Sequence, residues 1–548
     1  MKRWRINRKL LSLLLLYREG KYMEQRIYPI GIQNFESLRK DGYVYVDKTA
    51  WVYRLVNTGR YYFLSRPRRF GKSLLISTLE AYFLGKRELF KGLAIEQLEQ
   101  NWTVRPVFHL DLNIGKYDTP ESLDRILDDN LSGWEQVYGT RPTETTPALR
   151  FKGVIQRAVE KTGHRVAILV DEYDKPMLQA IGNSELQKQF RNTLKSFYGV
   201  LKTMDGYIKL GFLTGVTKLG KVSVFSDLNN LKDISMRRDY APICGITDEE
   251  LHQYFDEDLH ELAEAQGMDY ETVCAEMKKR YDGYHFNINT PGIYNPFSLL
   301  NTFDSMAFGN YWFATGTPSY LVYLLKKHNY RLEDIQGVEV TEAVLDSIDS
   351  EGTHPIPVIY QSGYLTIKDY DSRFKLYTLD YPNQEVEEGF LNYLMPFYTD
   401  KSESEAPFEI RKFVSEVENA NVDSFFRRLQ SFFADAPYEV IVGQEPQRNV
   451  ELFFQNVLFI VFKMMGFYVR VEYHTNRGRV DLVLTTDKYI YLMEFKQDGT
   501  AEEALAQING NHYGQPFQSD FRKLFKIGVN FSSKTRNIEE WEISVGAD

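Results

Sequence analysis

Cysteine is nearly missing from this sequence. Cys244 and Cys274 are the two present in 548 residues, they form no C-x-x-C, and no paired histidines stand near them. That argues against a structural zinc site or a disulfide framework and places the chain in a reducing compartment, the cytoplasm. A dominant charge is missing too. The formal net charge of −9 is small for this length and speaks against a constitutive nucleic-acid coat protein. A local basic groove stays compatible with it. No segment is long and apolar enough to be transmembrane, so no membrane association is expected. The basic MKRWRINRK and the apolar LLSLLLLY after it resemble the first two parts of a signal peptide, but Arg18, Glu19, Gly20 and Lys21 follow in place of a small-residue cleavage site. Residues 1–22 are read as a mobile extension, with Met23 as a second candidate start. Solenoid repeats and low-complexity tracts are absent as well.

What is present is ordinary hydrophobic content, many aromatics, and a length that predicts three or four folded units. The stretch FLSRPRRFGKSLL, 63–75, ends like a phosphate-binding loop at Gly71-Lys72-Ser73, although Arg66 stands where the usual pattern has its first glycine. Tyr61–Leu64 reads as a short buried strand. From Leu74 the apolar residues follow helical spacing up to Gly85. The loop therefore joins a strand to a helix, where free N–H groups and the helix dipole hold phosphate. Lys72 is expected to reach the β- and γ-phosphates of ATP and Ser73 to ligate Mg²⁺. VAILVDEYDKP, 166–176, reads as a parallel strand buried on both faces. Asp171 at its end would hold the metal through water, and Glu172 would orient or deprotonate the attacking water. A third strand, 209–218, ends in Thr214 and Thr217, either of which could sense the γ-phosphate.

A second constellation lies near the C-terminus. RNVELFFQNVLFIVFKMMG, 448–466, is a helix apolar almost all round, with Glu451 in its first turn serving either the helix dipole or a metal site. RVDLVL and YIYLMEFK read as strands flanking a turn at Thr486-Asp487. Asp481 lies on the first; Glu494 and Lys496, two apart on the second, share a face. Two carboxylates bind Mg²⁺, and a nearby ammonium orients water for phosphodiester attack. Thr500 and Glu503 form a capping box, with Gln507 one turn on.

RPRRFGKSL resembles the signature of the prokaryotic AAA-ATPase-like family, whose members often carry a C-terminal PD-(D/E)XK nuclease-like domain. YPIGIQNFESLRKDGYVYVDKT (28–49), LTGVTKLGKVSVFSDLNNLKDIS (213–235), YDGYHF (281–286), YNPFSLL (294–300) and YLTIKDY (364–370) extend the likeness from about Tyr28 nearly to the C-terminus. The resemblance implies a nucleotide loop of Arg66, Pro67, Arg68, Arg69, Phe70, Gly71, Lys72, Ser73 and Leu74, completed by Asp171 and Thr214. The three arginines either add charge near the phosphates or face solvent or a partner. Asp47, Lys48 and Thr49 are expected near the base or ribose, unless Asp47 is a helix cap. The order acidic helix, G-R-x-D strand, E-x-K strand and glutamine-bearing helix is similar to the PD-(D/E)XK core. It carries over the nuclease set Glu451, Asp481, Glu494, Lys496 and Gln507, with Tyr513 as a structural aromatic.

The expected architecture is multi-domain α/β. It comprises the extension 1–22, a P-loop domain with a parallel sheet and flanking helices at 23–245, a helical lid at 246–345, a winged-helix-like module at 346–398, a linker at 399–409, and a PD-(D/E)XK nuclease-like domain at 410–548. The expected function is an ATP-dependent nuclease acting on DNA rather than RNA, in defence or mobile-element biology, with homo-oligomerisation left open. The rivals are an ATP-held assembly switch with little hydrolysis and a nucleic-acid-binding protein with an inactive nuclease fold.

Overall fold

The computed structural model describes residues 26–218, 224–225, 230–315, 319–346, 354–399, 401–402, 404–434, 446–466, 468–473 and 480–546. The extension expected at 1–22 lies outside the described residues.

The first sheet is parallel throughout. It comprises β1 (Tyr61–Ser65), β2 (Val107–Asp111), β3 (Val166–Asp171), β4 (Ile208–Gly215) and β5 (Lys232–Asp233), in the order β2-β3-β4-β1-β5. VAILVD is buried at every position, which explains its unbroken apolar run. The helix Lys72–Phe83 leaves the end of β1 and packs on β2 and β3. Parallel strands bring their carboxyl ends to one edge, where ligands of such sheets bind.

The helices Asp248–Gln266, Tyr270–Tyr281 and Pro296–Ser305 form a unit with its own apolar core of Leu251, Phe255, Leu259, Met277 and Phe303. The first starts in the expected capping box of Thr247 and Glu250. Next comes an antiparallel sheet of β6 (Val338–Thr341), β7 (Thr366–Asp371) and β8 (Leu376–Asp380), in the order β6-β8-β7, flanked by the helices Ile356–Gln361 and Gln384–Tyr398. A small winged-helix-like module is expected at 346–398, and this sheet extends beyond those bounds. Its first strand lies inside the segment expected to be the helical lid. Four residues with one buried, Val340, are too short a pattern to show strand periodicity.

The C-terminal sheet is mixed. It has β9 (Arg470–Tyr473), β10 (Leu482–Thr485), β11 (Tyr489–Gln497), β12 (Lys523–Ser532) and β13 (Asn537–Val545), in the order β13-β12-β11-β10-β9, with only β11 and β12 parallel. The helix Ala501–Gly510 makes the crossover between those two. It lies so close to β12 that a Cβ on Gly528 would fall 2.0 Å from the carbonyl oxygen of Ala501. The expected linker also needs correcting: its last residues open the helix Ala406–Glu418, which runs through the proposed boundary at 410. Ala406, Ile410 and Phe413 are the buried face of that helix, masked in the sequence by the acidic residues around them.

Candidate active sites

At the carboxyl edge of the first sheet lies a cleft of about 1240 Å³. Arg68, Arg69, Gly71, Lys72, Ser73 and Leu74 form its floor. Gly71 adopts φ +91° and caps the helix Lys72–Phe83 without any side-chain bond to its first turn. That turn's N–H groups have no carbonyl four residues back and point at the cleft as donors for an anion. Lys72 is buried, with Nζ 3.1 Å from the carbonyl oxygen of Arg66, 3.2 Å from that of Pro67 and 3.6 Å from Oε1 of Glu172. Glu172 lines the cleft at a left-handed φ of +53°, a backbone strain typical of functional positions. Burial pushes its carboxyl up to about 7, against the pull of Lys72. A cationic loop, a free helix terminus and the carboxylate of Glu172 fit a magnesium–nucleoside triphosphate.

Several sequence-assigned side chains turn away from this cleft. Arg66 is 1 % exposed. Its guanidinium lies 3.8 Å from the ring centroid of Phe286 and donates to the carbonyls of Ser235 (2.7 Å), Tyr240 (3.3 Å) and Ala241 (3.4 Å). Burial lowers its pKa to about 10. Arg66 is therefore a pillar under the loop, neither a phosphate ligand nor a surface charge. Pro67 packs against Gly363, and Phe70 sits edge-on to Tyr284 and Phe286. Arg68 stays at the cleft, stacked 4.7 Å over Trp312, while Arg69 lies 5.0 Å over Phe297.

The two threonines are also engaged elsewhere. Thr214 is buried and donates to Oδ1 of Asp171 at 2.6 Å. Thr217 donates to Oδ2 of Asp174 at 2.7 Å. Each hydroxyl holds a carboxylate of the D-E-Y-D run; neither lines the cleft. Asp174 was not singled out from the sequence, although its spacing three residues after Asp171 was visible there. It also accepts from the backbone of Val216 and Thr217, fastening the ends of β3 and β4 together. Asp47 accepts from the backbone of Thr49 (2.8 Å) and Ala94 (2.7 Å), and Lys48 pairs with Glu250. Asp47 thus ties down the chain at the starts of two helices without being the N-cap of either, and neither it nor Lys48 lines the cleft; Ile30, Ile32, Phe297 and Leu300 wall it instead.

The middle modules touch this site directly. Gln361 accepts from the backbone of Lys218 at 2.6 Å and donates to the carbonyl of Leu345 at 2.6 Å. Buried Glu385 accepts from Ser298 and from the backbone of Trp312, whose indole donates to the carbonyl of Arg68. No sequence pattern marks Gln361 or Trp312 for this.

In the C-terminal sheet, Asp481, Glu494, Lys496 and Gln507 converge. Asp481 precedes β10 by one residue and does not lie on it. Its carboxylate accepts from the backbone of Phe495 at 2.9 Å, and its own N–H points to Glu494 at 3.4 Å, so side-chain bonds replace the ladder there. The amide of Gln507 donates to Glu494 and accepts from Lys496, locking carboxylate and ammonium together. Glu494 is 3 % exposed. Burial, reinforced by the charge of Asp481, pushes its carboxyl up to about 7, and burial raises Asp481 as well. Crowded carboxylates beside one lysine are a donor set suited to a divalent cation. The helix Pro446–Met465 carries Glu451, whose side chain lies outside the described part of the structure, as do Gly478 and Arg479. The capping box of Thr500 and Glu503 is formed as expected. Among the described residues no helix is long and apolar enough to cross a membrane.

Two families match this chain. One described as predicted AAA-ATPase matches residues 29–225, and the PD-(D/E)XK nuclease superfamily matches residues 449–541. A protein of Azotobacter chroococcum mcd 1, described as an uncharacterized protein in the vnfD 5' region, is 33 % identical over 526 residues. The match covers 94 % of this chain and 98 % of that protein.

Proposed function

From the chain's membership of the predicted AAA-ATPase family, with a C-terminal domain of the PD-(D/E)XK nuclease superfamily, we propose an ATP-hydrolysing protein coupled to a Mg²⁺-dependent nuclease that acts on DNA in preference to RNA. The setting we infer is the cytoplasm of a prokaryote, in defence or in mobile-element biology.

In the first site, Lys72 would hold the β- and γ-phosphates. Ser73 would bind magnesium directly and Asp171 through water, with Thr214 fixing the carboxylate of Asp171. Glu172 would orient or deprotonate the attacking water. In the second site, Asp481 and Glu494 would hold magnesium, with Glu451 as a further carboxylate. Magnesium supplies Lewis acidity and an acidified water. Lys496 would orient that water, and Gln507 would keep Lys496 and Glu494 in register.

The observation that carries this reading is the Asp481–Glu494–Gln507–Lys496 constellation, in one chain with a cleft floored by Gly71, Lys72 and Ser73. The test is cleavage of supercoiled plasmid with Mg²⁺, with and without ATP, beside Asp481→Ala. We expect cutting by the wild type, loss in the variant, and a rate that changes with ATP. Equal cutting by the variant would refute the site. Absence of cutting together with ATP-driven assembly would favour the switch.

A further inference from the structure

The amino ends of the first sheet carry a feature that neither site uses. Arg105 precedes β2, Arg165 precedes β3, Lys209 is the second residue of β4, Arg60 precedes β1, and Lys232 opens β5. Since the strand order is β2-β3-β4-β1-β5, the chain places one cation at or just before the start of every strand, in a row along one edge. Strands lie about 4.8 Å apart, so the row spans roughly 19 Å. Four of the five, all but Arg105, line a single cleft of about 490 Å³ in which Asp205 is the sole carboxylate among the described residues.

These charges are poorly neutralised. Arg60 pairs with Asp205 at 2.6 Å. The ammonium of Lys209 donates to the carbonyl of Val56, and Arg105 to that of Arg165. Among the described residues no carboxylate lies within ion-pair distance of Arg165, Lys209 or Lys232. Burial, then the charges of Arg105, Arg165 and Arg60, lowers the pKa of Lys209. Half-buried cations held against one another cost free energy unless an anion offsets them. In a protein with a formal charge of −9, such a row is a local reversal of sign.

We propose that this row binds the phosphodiester backbone of a nucleic acid. A small phosphate would meet two or three of the cations, whereas a line of single charges matches a strand that carries one phosphate per nucleotide. The tyrosines of the cleft, Tyr61 and Tyr62, are buried in the core, and Asn57 and Asn230 are its uncharged polar side chains, so charge outweighs base-reading groups at this site. Five residues of β1, about 17 Å of strand, separate it from the phosphate loop, so ATP and nucleic acid do not compete. The inference is independent of whether the C-terminal domain cuts.

The experiment is fluorescence-anisotropy titration of the full chain with labelled 30-nucleotide DNA and RNA in EDTA, which silences metal-dependent cleavage, across 50–200 mM salt. The Arg165→Gln/Lys232→Gln double variant is compared with wild type and with Asp481→Asn, and ATP affinity reports that the fold is intact. For the double variant we expect at least tenfold weaker binding of both nucleic acids, a log–log salt slope shallower by about 1 to 2, and unchanged ATP affinity. Wild-type affinity and slope in the double variant would overturn the proposal. So would complete displacement of the oligonucleotide by millimolar pyrophosphate, which would mark a small-anion site. Binding that survives Asp481→Asn and fails in the double variant separates this row from the nuclease site.

Discussion

Lys72 and Glu172 face each other across the mouth of the phosphate loop, with Nζ 3.6 Å from Oε1. The lysine is thus held by two loop carbonyls on one side and by the carboxylate that faces the cleft on the other. The two residues then differ in what their loss removes. Lys72→Ala is expected to abolish ATP binding. Glu172→Gln is expected to keep ATP affinity within about threefold and to lower turnover by about 100-fold or more, the range for a lost general base. Calorimetric binding and phosphate release measure the two quantities separately; equal loss in both for Glu172→Gln would contradict its role.

Arg66 and Arg68 stand two residues apart and are predicted to fail differently. Arg66→Ala would strand the carbonyls of Ser235, Tyr240 and Ala241 and open space beside Phe286. A destabilisation of about 3 kcal/mol is expected from lost buried bonds and an unfilled cavity. Arg68→Ala touches the cleft and the Trp312 face, so it should weaken ATP binding with little change in unfolding. Denaturant melts alongside ATP titrations distinguish them, and a reversed pattern would reject the assignment.

Local pattern carried most of the architecture. The unbroken apolar run of β3, the helical period after Ser73 and both capping boxes are properties of adjacent residues, and all three stand in the structure. The approach of Glu494, Lys496 and Gln507 follows from strand alternation and a helical turn, whereas Asp481 reaches them from just outside β10 through side-chain bonds that no alternation specifies. What the sequence hid was long-range. Whether Arg66 meets a phosphate or Phe286 depends on a segment 220 residues away. Thr214 looked like a sensor because its partner Asp171 lies on the neighbouring strand, 43 residues back. The row of cations at the sheet's other edge is invisible until the strand order is known, since its members are scattered from Arg60 to Lys232.

Glu494 gives a pH signature. Its folded pKa of about 7 lies above the ordinary 4.5, so between these values the native protein holds a proton that the unfolded chain has released. Stability of the C-terminal domain should therefore fall as pH rises from about 4.5 through 7, and saturating Mg²⁺ should reduce that fall by compensating the ionised carboxylate. Cleavage should rise over the same upper limb, since the metal needs Glu494 ionised. Glu494→Gln should flatten the stability profile. Unfolding curves at pH 5 and pH 8, with and without Mg²⁺, would show it, and an unchanged profile in the variant would discard the assignment.

Gln361 bridges the end of β4 and the module next to it, and we expect nucleotide state to reach the rest of the chain there. It accepts from Lys218 just past β4, whose Thr214 holds Asp171, and donates to Leu345 in the module next to it. Farther on, buried Asn456 of the helix Pro446–Met465 accepts from the backbone of Leu332 at 2.8 Å, tying that module's base to the C-terminal domain. Spatial continuity is not coupling, so the discriminating variant is one that breaks a single link. Gln361→Glu keeps the acceptor facing Lys218 and loses the donor to Leu345. ATP turnover and ATP-free cleavage should each stay within about twofold of wild type, because Gln361 itself does not line the nucleotide cleft. The ratio of cleavage with ATP to cleavage without it should move toward one. Asn456→Ala, acting on the same path, should then add little to Gln361→Glu, whereas independent links would give additive losses. A ratio identical to wild type in Gln361→Glu would show that the two sites communicate by another route.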